Sequence, residues 1–301
     1  MILERYVLNE SEFSDVDSVL RRRGHDILRT GSRSSTLAPS VDVTESELAS
    51  ELSFEFSDPR YTKAKQYLDC FEKRNCRNLL KTLVEAPGQK IEIKELENKH
   101  HAKVLDSYVP VLESIGVIRC TDGTVTLARK VDNLGPSFEQ YVAEICARDL
   151  RGSSEWGVKL RKLPKAGGDF DVLAWLEPSL VYIECKSGDP NNIDQRHIAN
   201  YLQREFELAA DISIFLIDTT DKLDGFVLDK FDPVIKIGLG SKSSHATMLP
   251  LNGYEGVFGG YRNVFITNSK PSVLRQIQRC LQAYYALMRP RLVPPPKPGT
   301  N

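Results

Sequence analysis

Two apolar runs joined by a short turn carry charged residues that an ordinary buried strand does not hold. Asp171-Val172-Leu173-Ala174-Trp175-Leu176 is followed by Glu177-Pro178-Ser179 and then by Leu180-Val181-Tyr182-Ile183-Glu184-Cys185-Lys186. The β-branched and aromatic content, with turn residues between, predicts a β-hairpin. Alternate side chains on a strand share a face, so Glu184 and Lys186 point one way and Cys185 the other. Asp171 opens the first strand at the same end of the hairpin. Placing polar groups in such a strand costs on the order of 2–7 kcal/mol even when they are neutral, and more for charges that are neither paired nor metal-bound. This conflict between burial and charge marks a functional site. The rest of the chain must supply the sheet that holds it.

The 301 residues suffice for one large domain or two modest ones. A formal net charge of -1 gives no global signal for a polyanionic partner, so only local clusters of basic residues can speak to one. The six cysteines show no Cys-x-x-Cys or zinc spacing and read as reduced, mostly buried thiols. The N-terminus lacks a signal-peptide apolar region, and no run approaches the ~18 apolar residues of a membrane span. A soluble, cytoplasmic protein without membrane association is expected.

Residues 1–69 read as an irregular and partly flexible N-terminal region. Ser14 to Leu28 is compatible with a helix bearing Arg21-Arg22-Arg23, a cluster that reads more readily as a solvated face than as a nucleic-acid contact. Thr30 to Ser40 is rich in Ser, Gly and Pro and looks like a linker, and Glu45 to Phe56 is acidic and mixed in period.

From Tyr61 helical spacing sets in and ends at Ala86-Pro87-Gly88. A short strand Ile91-Glu92-Ile93, a small helix Lys94–Lys99 and a helix from Lys103 to Ile115 follow. Gly116 stands where a left-handed C-cap is wanted. Val117–Cys120 and Thr124–Leu127 flank Thr121-Asp122-Gly123, predicting a hairpin. This order over residues 70–133 resembles a winged helix-turn-helix domain, and Leu112-Glu113-Ser114-Ile115-Gly116-Val117-Ile118 resembles its passage from third helix to wing. The resemblance implies DNA binding, with Lys103 and Ser107, beside His100 and His101, at the leading end of the third helix. Asp106, Glu113 and Asp122 weigh against direct contact, so a structural or dimerisation role stands as the alternative.

Residues 134–289 begin with Ser137 as an expected N-cap and a helix Phe138–Leu150. Trp156 to Leu163 reads as an edge strand, followed by the hairpin, a polar loop 188–192, a helix Ile193–Ala209 and the buried strand Ile212–Asp218. Val234–Ile237 and Val264–Thr267 read as further strands, Ser272–Met288 as a long helix, and 290–301 as a proline-rich solvated tail.

Helix, three strands, helix, strand, together with Asp171-x12-Glu184-Cys185-Lys186 and an upstream Phe138-Glu139-x-x-Val142, resembles the PD-(D/E)XK nuclease superfamily. The expected fold is α/β: a mixed sheet flanked by helices with an αβββαβ restriction-endonuclease-like core, plus a small mainly helical winged-helix domain. The resemblance implies a Mg2+-dependent (or Mn2+-dependent) endodeoxyribonuclease. Asp171, Glu184, the Cys185 carbonyl and Glu139 would hold the metal, and Lys186 would act on its water. Glu144 is the rival of Glu139. Asp169 is expected to cap a turn rather than replace Asp171.

Lys159, Arg161, Lys162 and Lys165 are expected to grip a nucleic-acid backbone. Gln195, Arg196, Gln203 and Arg204 read as a solvated helix face more readily than as phosphate contacts. The partner expected is nucleic acid, DNA first, and a homodimer fits two-strand cleavage. The competing readings are a non-catalytic winged-helix regulator whose nuclease fold is degenerate, with Asp171, Glu184 and Lys186 as a buried ion pair, and a nuclease acting on RNA or switched by a small ligand.

Overall fold

The computed structural model of the chain describes residues 15–32, 35–39, 59–163, 168–225, 227–239 and 247–288. The expectations for Glu45–Phe56, Lys165 and the stretch 290–301 lie outside the described residues.

The hairpin forms as its apolar alternation predicts. Strands β6 (Phe170–Leu176) and β7 (Ser179–Lys186) pair antiparallel, with Val172 opposite Ile183 and Trp175 opposite Leu180. Their side chains are buried on both faces, so the strands lie in the middle of a sheet rather than at its border. The full set comprises β1 (Ile27–Arg29), β5 (Ser153–Leu160), β6, β7, β8 (Ile212–Ile217), β9 (Leu249–Pro250), β10 (Val257–Tyr261) and β11 (Val264–Asn268). Their spatial order is β1-β5-β6-β7-β8-β11-β10-β9. β5, β6 and β7 form an antiparallel meander, whereas β7, β8 and β11 run parallel.

Helices cover both faces. On one side α6 (Gly135–Glu144) and α9 (Val273–Met288) bring Phe138, Val142 and Ile277 against Val172, Val181, Ile183 and Ile214. On the other, α1 (Val16–Arg22), α7 (Gln195–Leu208) and α8 (Leu228–Leu239) bring Leu20, Tyr201 and Phe231 against Leu173, Tyr182 and Phe215. The architecture is therefore a mixed α/β sheet between two helical layers. No described helix is long and apolar enough to cross a membrane.

Residues 59–127 form a smaller helical module. It contains α2 (Pro59–Glu72), α3 (Arg74–Glu85), β2 (Lys90–Glu92), α4 (Ile93–Lys99), α5 (Ala102–Ser114), β3 (Ile118–Thr121) and β4 (Thr124–Leu127). The three strands pair in the order β2-β4-β3. Gly116, at φ +78, ends α5, and Asp122 and Gly123, at φ +49 and +72, make the two-residue turn between β3 and β4. The module's apolar residues, among them Leu79, Leu83 and Leu112, belong to the same cluster as Phe138 and Val142. The chain thus changes architecture near residue 133 without a break in its core.

One buried ion pair crosses this junction. Arg77 on α3 donates from Nε and Nη2 to Asp218, just after β8, at 2.7 Å each, and from Nη1 to the carbonyls of Phe71 and Glu72. Both side chains are at most 5% exposed, and the guanidinium lies 5.7 Å from the Phe138 ring. A bidentate geometry with both Nη1 donors also engaged is the arrangement that makes such burial tolerable.

Four local expectations change. The first helix stops at Arg22, and Ile27–Arg29 instead pairs with β5. Residues 15–39 therefore belong to the large sheet domain wherever they are described: Thr36 and Leu37 are buried, and the Leu37 amide donates to Ser137 Oγ. The same contact removes Ser137 as an N-cap, because α6 already begins at Gly135 with Pro136 in its first turn. The edge-strand reading of Trp156–Leu163 fails where β1 covers Lys159 and Leu160. A side chain at Gly31 would collide with the Trp156 ring at about 2.1 Å, so this close approach of β1's exit requires glycine. Finally, Val234–Ile237 is helical. Phe231 and Ile235 are one turn apart on the buried side of α8, a spacing that a four-residue apolar run does not display by itself.

Candidate active site

Strand alternation places Tyr182, Glu184 and Lys186 on one face of β7, and α7 lies across that face. Glu184 is 1% exposed, yet both its oxygens are engaged. Oε1 accepts from Lys186 Nζ at 2.8 Å and from Arg204 Nη2 at 2.6 Å, and Oε2 accepts from the Tyr182 hydroxyl. Arg204 Nε also donates to the Tyr182 oxygen at 3.0 Å, closing a ring of Arg204, Tyr182 and Glu184. Lys186 lies 5.9 Å from the Phe215 ring, which limits its freedom on the sheet side.

Asp171, at the start of β6, accepts from the Cys185 amide through Oδ2 at 2.8 Å. This bond carries the pairing of β6 and β7 past the last regular rung at Val172 and Ile183. Cys185 itself points to the opposite face, where its side chain is buried. Glu139, on α6, reaches over β5: a Cβ added at Gly157 would stand 4.0 Å from Glu139 Oε2. The carboxylate thus lies beside Gly157, a glycine held at φ +56 and packed on the Gly31 backbone. Glu139 joins the electrostatic cluster of Glu184 and Lys186.

The charges respond to one another. Burial raises the Asp171 pKa, and the negative charges of Glu184 and Glu139 raise it further. Glu139 is pushed up to about 7, first by burial and then by Glu184. Burial opposes ionisation of Glu184 as well, but the cations of Lys186 and Arg204 outweigh it and hold its pKa below the ordinary value. Burial would discharge Lys186, while Glu184 and Asp171 more than compensate and raise its pKa. The result is an ionised Glu184, a charged Lys186 and two further carboxyls whose negative charge is held at a cost.

Asp171, Glu184, Lys186 and Glu139 are thus brought together. The carboxylates are not splayed around one empty point, however: among the described residues no group of three or more His, Cys, Asp or Glu is arranged to hold a metal ion. The reason is visible at Glu184, which is turned into its ring with Arg204 and Tyr182.

The other expected residues fall elsewhere. Lys159, Arg161 and Lys162 are exposed at the end of β5, and Arg161 is 3.4 Å from Asp26. Lys103 and Ser107 are exposed on α5, where Ser107 Oγ donates to the Lys103 carbonyl. Asp169, expected to cap a turn, pairs with Arg29 at 2.6 Å. His100 approaches Thr82 Oγ1 at 2.9 Å through Nε2 and so packs on α3 rather than leading α5. Arg21 and Arg23 pair with Asp17 and Asp211.

Sequence reading passed over Tyr182 and left Arg204 among solvated residues. Gln195, Arg196 and Gln203 are indeed exposed, but Arg204 lies one turn from the buried Tyr201 and faces the sheet. Its position beside the buried stripe Ile198, Tyr201, Glu205 and Leu208 was the available signal.

No family model matches the chain, and no curated protein matches it. Among solved structures, the crystal structure of protein VC1899 from Vibrio cholerae is similar in part: 16% identity, a TM-score of 0.38, and coverage of 54% of this chain. The match spans 48% of that protein, about half its length, and a likeness of this size does not define a fold.

Proposed function

We propose that the chain is a divalent-metal-dependent nuclease that hydrolyses phosphodiester bonds in DNA, with residues 70–133 acting as a winged helix-turn-helix module and α6, β5, β6, β7, α7 and β8 as a restriction-endonuclease-like core. The observation that carries this reading is the convergence of Glu139, Asp171, Glu184 and Lys186 from three separate elements onto one end of a buried hairpin. Three neighbouring hard carboxylates, two of them with raised proton affinity, have the donor chemistry that suits Mg2+ or Mn2+.

Asp171 and Glu184, with Glu139 and the Cys185 carbonyl, would hold the cation once Glu184 gives up part of its ring with Arg204. When bound, the cation supplies Lewis-acid polarisation of the phosphate and an activated water. The protein's own groups do the rest. Asp171 is oriented by the Cys185 amide, and Glu184 is kept ionised by Lys186 and Arg204. Lys186, held charged, is a donor to the developing negative charge on a phosphoryl oxygen. Arg204, once released, has its fork available for a second phosphate oxygen. Were the substrate cut on both strands, one such site per chain would call for two copies, a homodimer.

A second reading is favoured by the same ring. Glu184 saturated by Lys186, Arg204 and Tyr182 is what a degenerate, non-catalytic domain would retain as a structural ion cluster. Incubation of the full chain with plasmid, single-stranded DNA and RNA in the presence of Mg2+ or Mn2+ separates the two. The nuclease reading expects cleavage by the native protein that is lost in Glu184→Ala and Lys186→Ala, and substrate preference decides between DNA and RNA. Cleavage by the variants equal to the native rate contradicts it.

A further inference from the structure

A polar groove begins where β7 ends. Ser187 and Gly188, directly after Lys186, form one rim of a cleft of about 360 Å³ whose opposite wall is α3 of the helical module. Consecutive Cα atoms lie ~3.8 Å apart, so this rim starts one residue beyond Lys186 and about 10 Å along the strand from Glu184. Below it the Arg77–Asp218 pair fixes the two walls relative to each other. The cleft adjoins a second hollow of about 200 Å³ that shares Asp189, Asn191, Thr219 and Asp221 with it. The two together make a track rather than a single closed pocket.

The walls differ in what they leave unfilled. On the loop side each acid has at least one partner. Asp218 holds Arg77, Asp221 accepts from Thr219 Oγ1 at 3.0 Å, and Asp189 accepts from the Asn191 amide at 2.8 Å. On the α3 side, Arg74, Asn78 and Lys81 stand at i, i+4 and i+7, one stripe of the helix facing the cleft. Arg74 donates from Nη1 to Thr220 Oγ1, but its Nε is buried and has no partner among the described residues. Lys81 comes no nearer than 3.9 Å to Glu85. The track thus offers donors with spare capacity along one wall, while on the other Asp218 is paired with Arg77 and Asp189 and Asp221 each keep their charge with one neutral donor.

We propose that this groove holds the single-stranded nucleic-acid segment next to the scissile phosphate, with Arg74, Asn78 and Lys81 gripping its phosphates. The assignment rests on the nuclease reading for its direction along the groove. A strand suits the site better than a free nucleotide because the two hollows continue one another away from Lys186.

The test is fluorescence anisotropy of a short labelled single strand, DNA or RNA, with the full chain in EDTA over a range of salt. A blunt duplex and a free mononucleotide serve as competitors. Arg74→Gln/Lys81→Gln should weaken single-strand binding by roughly tenfold and lower the salt slope by about 1.4, near 0.7 per lost phosphate contact. Arg275→Gln on α9, which removes one charge outside the groove and so matches Lys81→Gln, should bind as the native chain does, and Arg74→Lys should recover part of the loss. If Arg74→Gln lowers the melting temperature, Lys81→Gln decides with about half the effect on the slope, and the neutral Asn78→Ala should weaken binding with the slope unchanged.

Unchanged binding by the double variant overturns the proposal. So does a native chain that binds no single strand, or a loss confined to the duplex or the mononucleotide. Cleavage is scored separately with Mg2+. A protein that binds with this dependence but cuts nothing removes the nuclease reading and leaves the groove assignment standing. One that cuts, and whose double variant binds and cuts normally, removes the groove alone.

Discussion

Among the described residues, two buried arginine–carboxylate pairs look alike in burial and differ in everything around them. Arg77 and Asp218 form a closed bidentate pair whose remaining donors go to backbone carbonyls and whose flat face lies near aromatic rings. Arg204 and Glu184 are buried nearly as deeply, but the carboxylate is shared with Lys186 and Tyr182, and two more carboxyls, Asp171 and Glu139, crowd the same region. The first pair balances its charge locally and joins two parts of the core. The second leaves like charges close together, so its region is poised to accept a cation or an anionic substrate. Burial of an ion pair does not mark a site by itself; unrelieved crowding of one charge type does.

The comparison breaks most readily at Arg77. Arg77→Ala strands Asp218 in the core and should cost about 3–5 kcal/mol of stability. That corresponds to a fall of several degrees in Tm, at roughly 2–4 °C per kcal/mol for a chain of this size. Thermal unfolding checks it, and activity should decline only with the folded fraction. Glu184→Gln sharpens the contrast. Because Asp171 and Glu139 remain to face Lys186 and Arg204, it should cost clearly less stability than Arg77→Ala, while cleavage falls by about 10²–10³, or about 3–4 kcal/mol of barrier. Single-turnover cleavage and melting on the same preparations test both halves.

Arg204→Gln removes a cation that competes for Glu184. The Mg2+ concentration giving half-maximal cleavage should fall roughly tenfold, equivalent to about 1.4 kcal/mol, and isothermal titration with Mn2+ should show the same direction. Weaker metal binding in the variant would mean that Arg204 organises the ligand set instead of competing with it.

The smallest effect belongs to Glu139, whose carboxyl is pushed from 4.5 up to about 7 by burial and by Glu184. The folded chain holds this proton more tightly than the unfolded one. The contribution of Glu139 is therefore most favourable below about pH 4.5 and is lost as pH rises through about 7. Glu139→Gln cannot ionise. Without metal it should melt above the native chain near pH ~8 and close to it near pH ~4.5. A difference of the opposite sign at high pH would place Glu139 in a favourable ion pair.

What the sequence disclosed follows the range of the interactions. The hairpin Asp171–Lys186 was legible because pairing, alternation and charge all lie within sixteen neighbouring positions. The order of elements from α3 to β4 was legible because Gly116 and Asp122-Gly123 punctuate it locally. Glu139 was found through a resemblance, and the structure places it with the cluster. Arg204 was misread because its partner lies across a loop and a layer boundary, and an arginine beside a buried stripe looks solvated in one dimension. The Arg77–Asp218 pair joins positions 141 residues apart and left no trace in either segment. Val234–Ile237 misled for the opposite reason: a short apolar run carries no period by which helix and strand can be told apart.

The central claim, that Asp171 and Glu184 form a metal-dependent hydrolytic site, is tested most directly by diffraction from crystals soaked in Mn2+. The account predicts an anomalous peak between the two carboxylates at roughly 2.0–2.3 Å from their oxygens, with the Arg204–Glu184 contact lengthened. Absence of a peak at saturating Mn2+, with Arg204, Tyr182 and Lys186 still closed on Glu184, would contradict it and leave the cluster as a structural counterpart of Arg77 and Asp218.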